Sequence, residues 1–395
     1  MKILFVSLFL PGPQARHAGG RYVFELLSRL APRHEIHLAT RLEETELPLL
    51  EQLRPHCAAL HPYPYRSVEQ RELLDTLRLA GNYLGFSRFA DRLIRAGDYD
   101  VVQVEWVETA LLIRRGGTPL VLDAHDVITK PAERQLRQAK GMARLPAALK
   151  YLLTRAVERC IMRRFTSIVT LSEFDRDYLL RMAPELAARV TTVPIPAGMD
   201  ITDKQYAAQP NTILFLAAYR HRPVNVEAAL WFYREVFPLV RDQVPTARFI
   251  IAGNGPPEEL TRLVANDPQV EVPGFIADLD RCYKEAAVFV APLLTGGGII
   301  VKLLDALAAG RPTVATTIAN EGVGARPGRD LLVAEDPATF AAHVVRLLRE
   351  PEFARALAVS GREFVRQHYG IDRIVADLER NLAAATQKGR GDDGK

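Results

Sequence analysis

The sequence predicts an α/β protein made of two successive doubly wound parallel sheets. Short, continuous runs of apolar and β-branched residues alternate with helical stretches along the whole chain. Such runs mark strands buried on both faces, joined by crossover helices. At 395 residues the chain is too long for one ordinary core. The alternation is interrupted once, by Pro194-Ile195-Pro196-Ala197-Gly198, and then restarts. Pro and Gly at that density neither continue a strand nor start a helix, so two units join there.

In the first half the strand runs are 3–6, 35–38, a weaker one near 58–60, 101–104, 120–122, 167–170 and 190–193. Between the first two, Val23, Leu26, Leu27 and Leu30 share one helical face. The polar stretch 202–211 reads as linker. Beyond it the runs are 213–216, 248–251, 270–272, 288–290, 313–315 and 331–333, with helices predicted over 226–240 and 337–348. Asp336 is the expected N-cap of the second helix, with Pro337 at its first position. The domains predicted are 1–198 and 199–370. A C-terminal helix over 371–386 is expected to pack back on the first, and 387–395 to be a disordered tail. Ligand is expected at the carboxyl ends of the strands, in a central cleft that the two sheets face.

Composition narrows the function. With 48% hydrophobic and 25% charged residues the chain has a globular balance, and its net charge of +4 suits anionic ligands without arguing for nucleic acid. Cys57, Cys160 and Cys282 are odd in number and widely spaced, so they read as reduced thiols of a cytoplasmic protein. Residues 1–10 read as a first strand rather than a secretory signal, and no apolar run is long enough to span a bilayer.

The sharpest chemical signal is Thr295-Gly296-Gly297-Gly298, between the strand at 288–290 and a helix predicted over 301–309. Glycines let backbone N–H groups approach a ligand, and the helix start adds free donors and a positive dipole end. Lys302 falls in the first helical turn, an unfavourable place for a cation unless an anion such as phosphate sits nearby. Asp305 lies one turn on, where it could accept from ribose hydroxyls or simply pair with Lys302. A second glycine turn is Gly253-Asn254-Gly255-Pro256. A third, Gly19-Gly20, lies at a helix start, but its spacing is not a dinucleotide fingerprint. His125, flanked by Asp123 and Asp126, follows the strand at 120–122. Arg220, His221 and Arg222 form a cationic group past 213–216, suited to a diphosphate. Two D-x-D patterns, Asp175-Arg176-Asp177 and Asp278-Leu279-Asp280, stand at helix starts, where Asp serves as a cap; no metal is expected. From Arg134 to Arg164 the chain carries nine Lys and Arg against one acid, interleaved with leucines. That stretch fits either an anionic lipid surface or a solvated helix face, and the sequence leaves both open.

With these residues in hand, the chain resembles the family-4 retaining glycosyltransferases. The resemblance rests on the run 248–256, on Val272-Pro273-Gly274-Phe275-Ile276, and on Ala291-Pro292 through Leu304-Asp305 to Thr313-Val314. Gly19-Gly20, His125-Asp126 and Ser172-Glu173 extend it into the first half. The family implies a GT-B fold of two Rossmann-like domains, a nucleotide sugar as substrate, and no cofactor or metal. By the same resemblance, Gly19 and Gly20 approach the donor phosphates, and Gly253, Gly255, Gly296, Gly297 and Gly298 are counted as donor-binding. His125 contacts the transferred sugar, Arg220 and Lys302 stabilise the leaving diphosphate, and Asp305 holds the ribose. Phe275 and Ile276 lie where the base is read. Where the family has E-x7-E, this chain has Gly297 and Asp305, as in a glycine-rich subgroup, so Thr295 or backbone groups must replace the first carboxylate. Val224 separates Pro223 from Asn225 in what would otherwise be that subgroup's H-x-P-N stretch.

The function expected is transfer of a sugar, with retention, from a UDP-, GDP- or ADP-linked donor to a sugar or lipid-linked acceptor. Polysaccharide or glycoconjugate synthesis is the setting, in the cytoplasm, with 134–164 as the candidate contact to the inner membrane face. The alternatives are an inactive nucleotide-sugar-binding subunit and a nucleotide-sugar epimerase.

Overall fold

The computed structural model describes residues 1–392 except 14, 16, 17, 66–72, 199, 200, 221 and 297. The chain divides into two units, Met1–Ile195 with Asp372–Lys395, and Pro196–Ile371.

The first unit holds seven strands: β1 (Lys2–Ser7), β2 (Glu35–Glu43), β3 (Ala59–Tyr65), β4 (Val101–Glu105), β5 (Leu120–Ala124), β6 (Ser167–Thr170) and β7 (Val190–Thr192). Their order in the sheet is β3-β2-β1-β4-β5-β6-β7, and every pairing among them is parallel. Between these strands, among the described residues, run α1 (Ala18–Leu30), α2 (Leu73–Ala96), α3 (Thr129–Gln138), α4 (Arg144–Met162) and α5 (Glu173–Met182). The face of α1 that carries Val23, Leu26, Leu27 and Leu30 is buried, as its spacing predicts. Each such side chain contributes about 1.5–3 kcal/mol of transfer free energy.

The second unit holds β8 (Thr212–Leu216), β9 (Arg248–Ala252), β10 (Val270–Gly274), β11 (Val288–Ala291), β12 (Thr313–Ala315) and β13 (Leu332–Val333), in the order β10-β9-β8-β11-β12-β13. These pairings are parallel too. The helix predicted over 226–240 is not continuous. It runs as α6 (Pro223–Trp231), one π-helical turn over Phe232–Val236, and α7 (Phe237–Gln243). Pro238 in the first turn of α7 has no N–H to give to the preceding turn, and the bulge absorbs the lost bond. Then follow α8 (Glu258–Val264), α9 (Leu279–Glu285), α10 (Val301–Ala308), α11 (Thr317–Asn320), α12 (Pro337–Arg349) and α13 (Pro351–His368). Asp336 caps α12 as predicted, its side chain accepting from Thr339 N–H.

The chain then returns to the first unit as α14 (Ile371–Asp392), where Ile374, Val375, Leu378 and Leu382 are buried. α14 continues to Asp392, past residue 387 where the tail was expected to begin; 393–395 lie outside the described residues.

In each sheet the strand order reverses once, between β1 and β4 and between β8 and β11. Such a reversal opens a crevice at the carboxyl ends of the neighbouring strands, the usual place for a ligand in this architecture.

Candidate functional site

In the second unit four predicted features gather at the carboxyl edge of the sheet. β9 ends at the Gly253 turn, β8 leads to Arg220, β10 ends at Gly274 before Phe275, and β11 leads to Thr295. The first two interlock. Tyr219 N–H donates to Asn254 O at 2.9 Å, and Ala217 N–H to Ala252 O at 3.0 Å. Gly253 has φ 134°, and a Cβ placed there would lie 1.6 Å from Ala217 O. Only glycine fits, so the residue type itself clamps the Arg220 loop to this turn. Asn225 Nδ2 ties the same loop through Ala218 O at 2.6 Å. A Cβ on Gly255 would meet that of Arg220 at 2.9 Å. His221 lies outside the described residues.

Gly253 N–H also donates to Gly274 O at 2.8 Å, which brings the end of β10 alongside. There Phe275 is 73% exposed, an aromatic face open for stacking, and Ile276 is half-buried.

The triple-glycine turn runs straight into α10. Gly296 and Gly298 have φ 129° and 79°, and Gly297 lies outside the described residues. Ile300, at the cap position of α10, supplies no side-chain hydrogen bond, so the first N–H groups of this helix are uncapped by side chains. Thr295 Oγ1 donates to Glu227 Oε2 at 3.1 Å. Lys302 Nζ lies 3.5 Å from Asp305 Oδ2, and Asp305, 3% exposed, also accepts from Gly198 N–H at 3.1 Å through Oδ1. Asp305 thus anchors the 196–198 turn and orients Lys302. Sequence reasoning missed Gly322, where a Cβ would lie 2.5 Å from Gly298 O, so the backbones of the two loops meet there.

In the first unit the predicted residues meet at the strand-order reversal. Gly19 and Gly20 lie within the first turn of α1. A Cβ on Gly20 would come within 3.0 Å of Leu10 O, so the glycine lets the β1 loop lie on the helix start. Two residues on, the Tyr22 hydroxyl donates to Asp123 Oδ2 at 3.0 Å. His125, 7% exposed, has Nε2 2.7 Å from Glu105 Oε2. The Trp106 ring stacks on the imidazole with centroids 4.0 Å apart and planes 16° from parallel. Trp106 takes φ 67°, rare for a bulky residue, and strain of this kind clusters at functional sites.

Burial sets the protonation states in this group. It raises Glu105 to about 8 and, with the Glu105 charge added, Asp123 to about 7; it lowers His125. Both partners of the 2.7 Å contact are therefore driven toward their neutral forms, with one proton held between carboxyl and imidazole. Donor atoms of Glu105, Asp123 and His125 all lie within 4.8 Å of one another, a set that could also hold a cation. In this structure Tyr22 and Gln103 supply hydrogen bonds to the two carboxyls.

Glu105, Trp106 and Tyr22 were not singled out from sequence. The signal was present in β4, where Gln103 and Glu105 interrupt an otherwise apolar strand and stand fully buried. Glu105 is the register partner of Asp123 in β5.

The D-x-D aspartates are occupied structurally. Asp278 caps α9 through Arg281 N–H at 2.9 Å, and Asp280 pairs with Lys284 at 2.7 Å. Asp175 accepts from Ser172 Oγ at 2.7 Å and pairs with the buried Lys130. All three cysteines are free.

Residues 19–200 match the model of Glycosyltransferase Family 4, and residues 210–350 that of Glycosyl transferases group 1. The chain belongs with the family-4-like glycosyltransferases. Solved structures similar to this GT4-like chain share its GT-B fold. A sucrose-phosphate synthase from Thermosynechococcus elongatus has TM-score 0.70 at 17% identity, covering 98% of this chain and 100% of that one. The Anabaena protein HepE, solved with UDP, has TM-score 0.68 at 13% identity, covering 97% and 100%. Among curated proteins, an uncharacterized 44.6 kDa protein in the cps region of Klebsiella pneumoniae is 26% identical over 163 residues, 40% of this chain and 42% of that one. A phosphatidyl-myo-inositol mannosyltransferase of Mycobacterium leprae is 28% identical over 190 residues, 45% and 49%. The matches to these two relatives span less than half of each.

Proposed function

We propose that this GT4-like chain transfers a sugar, with retention and without a metal, from a nucleotide sugar to a sugar or lipid-linked acceptor in glycoconjugate synthesis. The observation that carries the reading is the glycine turn ending at the uncapped start of α10, with Lys302 in the first turn. Backbone donors, a helix dipole and an ammonium at one place suit the diphosphate, whose charge grows as the bond to the sugar breaks. Arg220, clamped by Gly253 and Gly255, adds a guanidinium suited to phosphate oxygens. Phe275 is assigned the nucleotide base by stacking, and Ile276 flanks it. His125 is assigned the transferred sugar. Support for such a donor also comes from HepE, solved with UDP and with UDP-glucose.

In this mechanism the acceptor hydroxyl attacks the anomeric carbon on the face the diphosphate leaves, and a leaving phosphate oxygen takes its proton. Asp305 acts by holding Lys302 in place, and its contact with ribose belongs to the same proposal. A panel of UDP-, GDP- and ADP-sugars tests the reading. One donor is expected to raise the melting temperature most and to release nucleotide diphosphate when acceptor is added. NMR of the product should show the donor's anomeric configuration kept, and EDTA should leave the rate unchanged. Binding without diphosphate release would instead mark a donor-binding subunit, and isomerisation of donor alone an epimerase.

A further inference from the structure

We infer that the α4 face of the first unit docks on an anionic lipid bilayer. The turn before α4 and the helix itself carry a continuous apolar stripe at helical spacing: Met142, Leu145, Leu149, Leu152, Leu153 and Val157. None of these side chains is packed into the core. Met142 is 95% exposed and Leu145 79%, and the other four are exposed as well. Leucines placed outward at three- and four-residue intervals are an apolar face awaiting a partner, unlike the scattered surface leucines of an ordinary protein.

Charge identifies the partner. Between residues 134 and 164 the chain has nine Lys and Arg and one acid, and that acid, Glu158, is fully buried. Glu158 faces inward, accepting from the N–H groups of Ile128 and Thr129 at 2.9 and 3.0 Å. The exposed side of the stretch has no acid of its own. Glu185 pairs with Arg159 and Arg163, and Glu133 with Arg137, while Lys140, Arg144 and Lys150 lie along the stripe without a carboxylate of the stretch. Beyond the C-terminal end of α4 the cationic character continues. A groove of about 910 Å³ is lined by Arg88 and Arg92 of α2, by Arg114 and Arg115, and by Arg164, with Asp91 as the acid among them. Arg164 Nη1 donates to Leu111 O at 3.0 Å and to Ile113 O at 3.2 Å, which fixes the groove to the end of α4.

An apolar stripe with cations around it fits a sheet of anionic head groups over acyl chains. A second copy of this chain fits less well, because a two-fold contact would set like charges against one another. At 19 residues α4 is about 28 Å long, and no helix among the described residues is apolar enough to cross a membrane. The mode is therefore a helix lying in the interface plane. The groove between α2 and the end of α4 would take the phosphate of a head group.

The test is co-sedimentation of the full chain with vesicles of phosphatidylcholine alone and with about a third phosphatidylglycerol. Binding is expected only to the anionic vesicles, weakening steeply between about 0.1 and 1 M salt as the screening length shrinks. The exposed thiol of Cys160, on the same helix, carries an environment-sensitive dye whose emission should shift to the blue on binding. Leu149→Glu with Leu152→Glu should cut the bound fraction at least tenfold with the melting temperature unchanged. Arg88→Glu with Arg92→Glu should weaken binding to anionic vesicles in the same direction. Binding equal on neutral vesicles, or undiminished in both variants, would overturn the proposal. So would a concentration-dependent dimer that Leu149→Glu with Leu152→Glu abolishes, with no vesicle binding by the parent chain.

Discussion

Glu105 Oε2 stands 2.7 Å from His125 Nε2, both residues buried, with the Trp106 ring laid flat on the imidazole. The carboxyl fixes which ring nitrogen carries hydrogen, and the indole fixes the ring plane. Glu105 is thus a positioning residue for His125, held in turn by Gln103 Nε2 at 3.3 Å.

Replacing Glu105 with Gln keeps the shape but changes the proton held between the two groups. Turnover is expected to fall about tenfold or more, since each tenfold corresponds to about 1.4 kcal/mol of lost stabilisation. Stability provides a separate readout. Glu105 is raised from 4.5 to about 8, so the folded chain keeps a proton that the unfolded chain releases. Its contribution is therefore fully present below about pH 4.5 and is lost as pH rises toward 8. Melting temperatures between pH 5 and 8 should drop more in the parent chain than in Glu105→Gln. An equal slope in both would contradict the raised carboxyl.

Lys302→Ala is expected to lower turnover about a hundredfold with little change in melting temperature. Its ammonium is part-exposed, and the one contact it makes with Asp305 is long at 3.5 Å. Wild-type turnover in that variant would remove the phosphate assignment.

Gly253→Ala and Gly274→Ala form a matched pair. Both glycines have positive φ, 134° and 75°, but only at Gly253 would the added methyl strike backbone. Gly253→Ala is expected to lose about 3 kcal/mol or more, seen as a melting point several degrees lower. Gly274→Ala should lose about 1 kcal/mol.

Phe275→Ala should leave stability unchanged, because the side chain is largely exposed, and raise the donor KM about tenfold. Unchanged KM for every donor tested would separate Phe275 from base recognition.

The strands were legible because a parallel strand buried on both faces is apolar at every position; β1, β8 and β11 read off directly. The turns at Gly253 and Thr295–Gly298 were legible because glycine between a strand and a helix has few other uses. What could not be read depends on distant pairing. Glu105 meets His125 across 20 positions, and Tyr22 meets Asp123 across 101. No local pattern announces such contacts. The break at Phe232–Val236 went unread because Pro238 suits a helix start as well as a bulge. Glycine usually weakens a helix, and at Gly20 the close approach of Leu10 O explains why one stands in the first turn of α1.

The return of α14 to the first unit has a consequence for biosynthesis. During synthesis, at about 5–20 residues per second, residues 196–371 emerge whole before α14 is made, so the second unit can fold on the ribosome. The sheet of β1 to β7 appears first but must wait for its covering helix, supplied some 176 residues later. Until then the surface destined for Ile374, Leu378 and Leu382 stays wet.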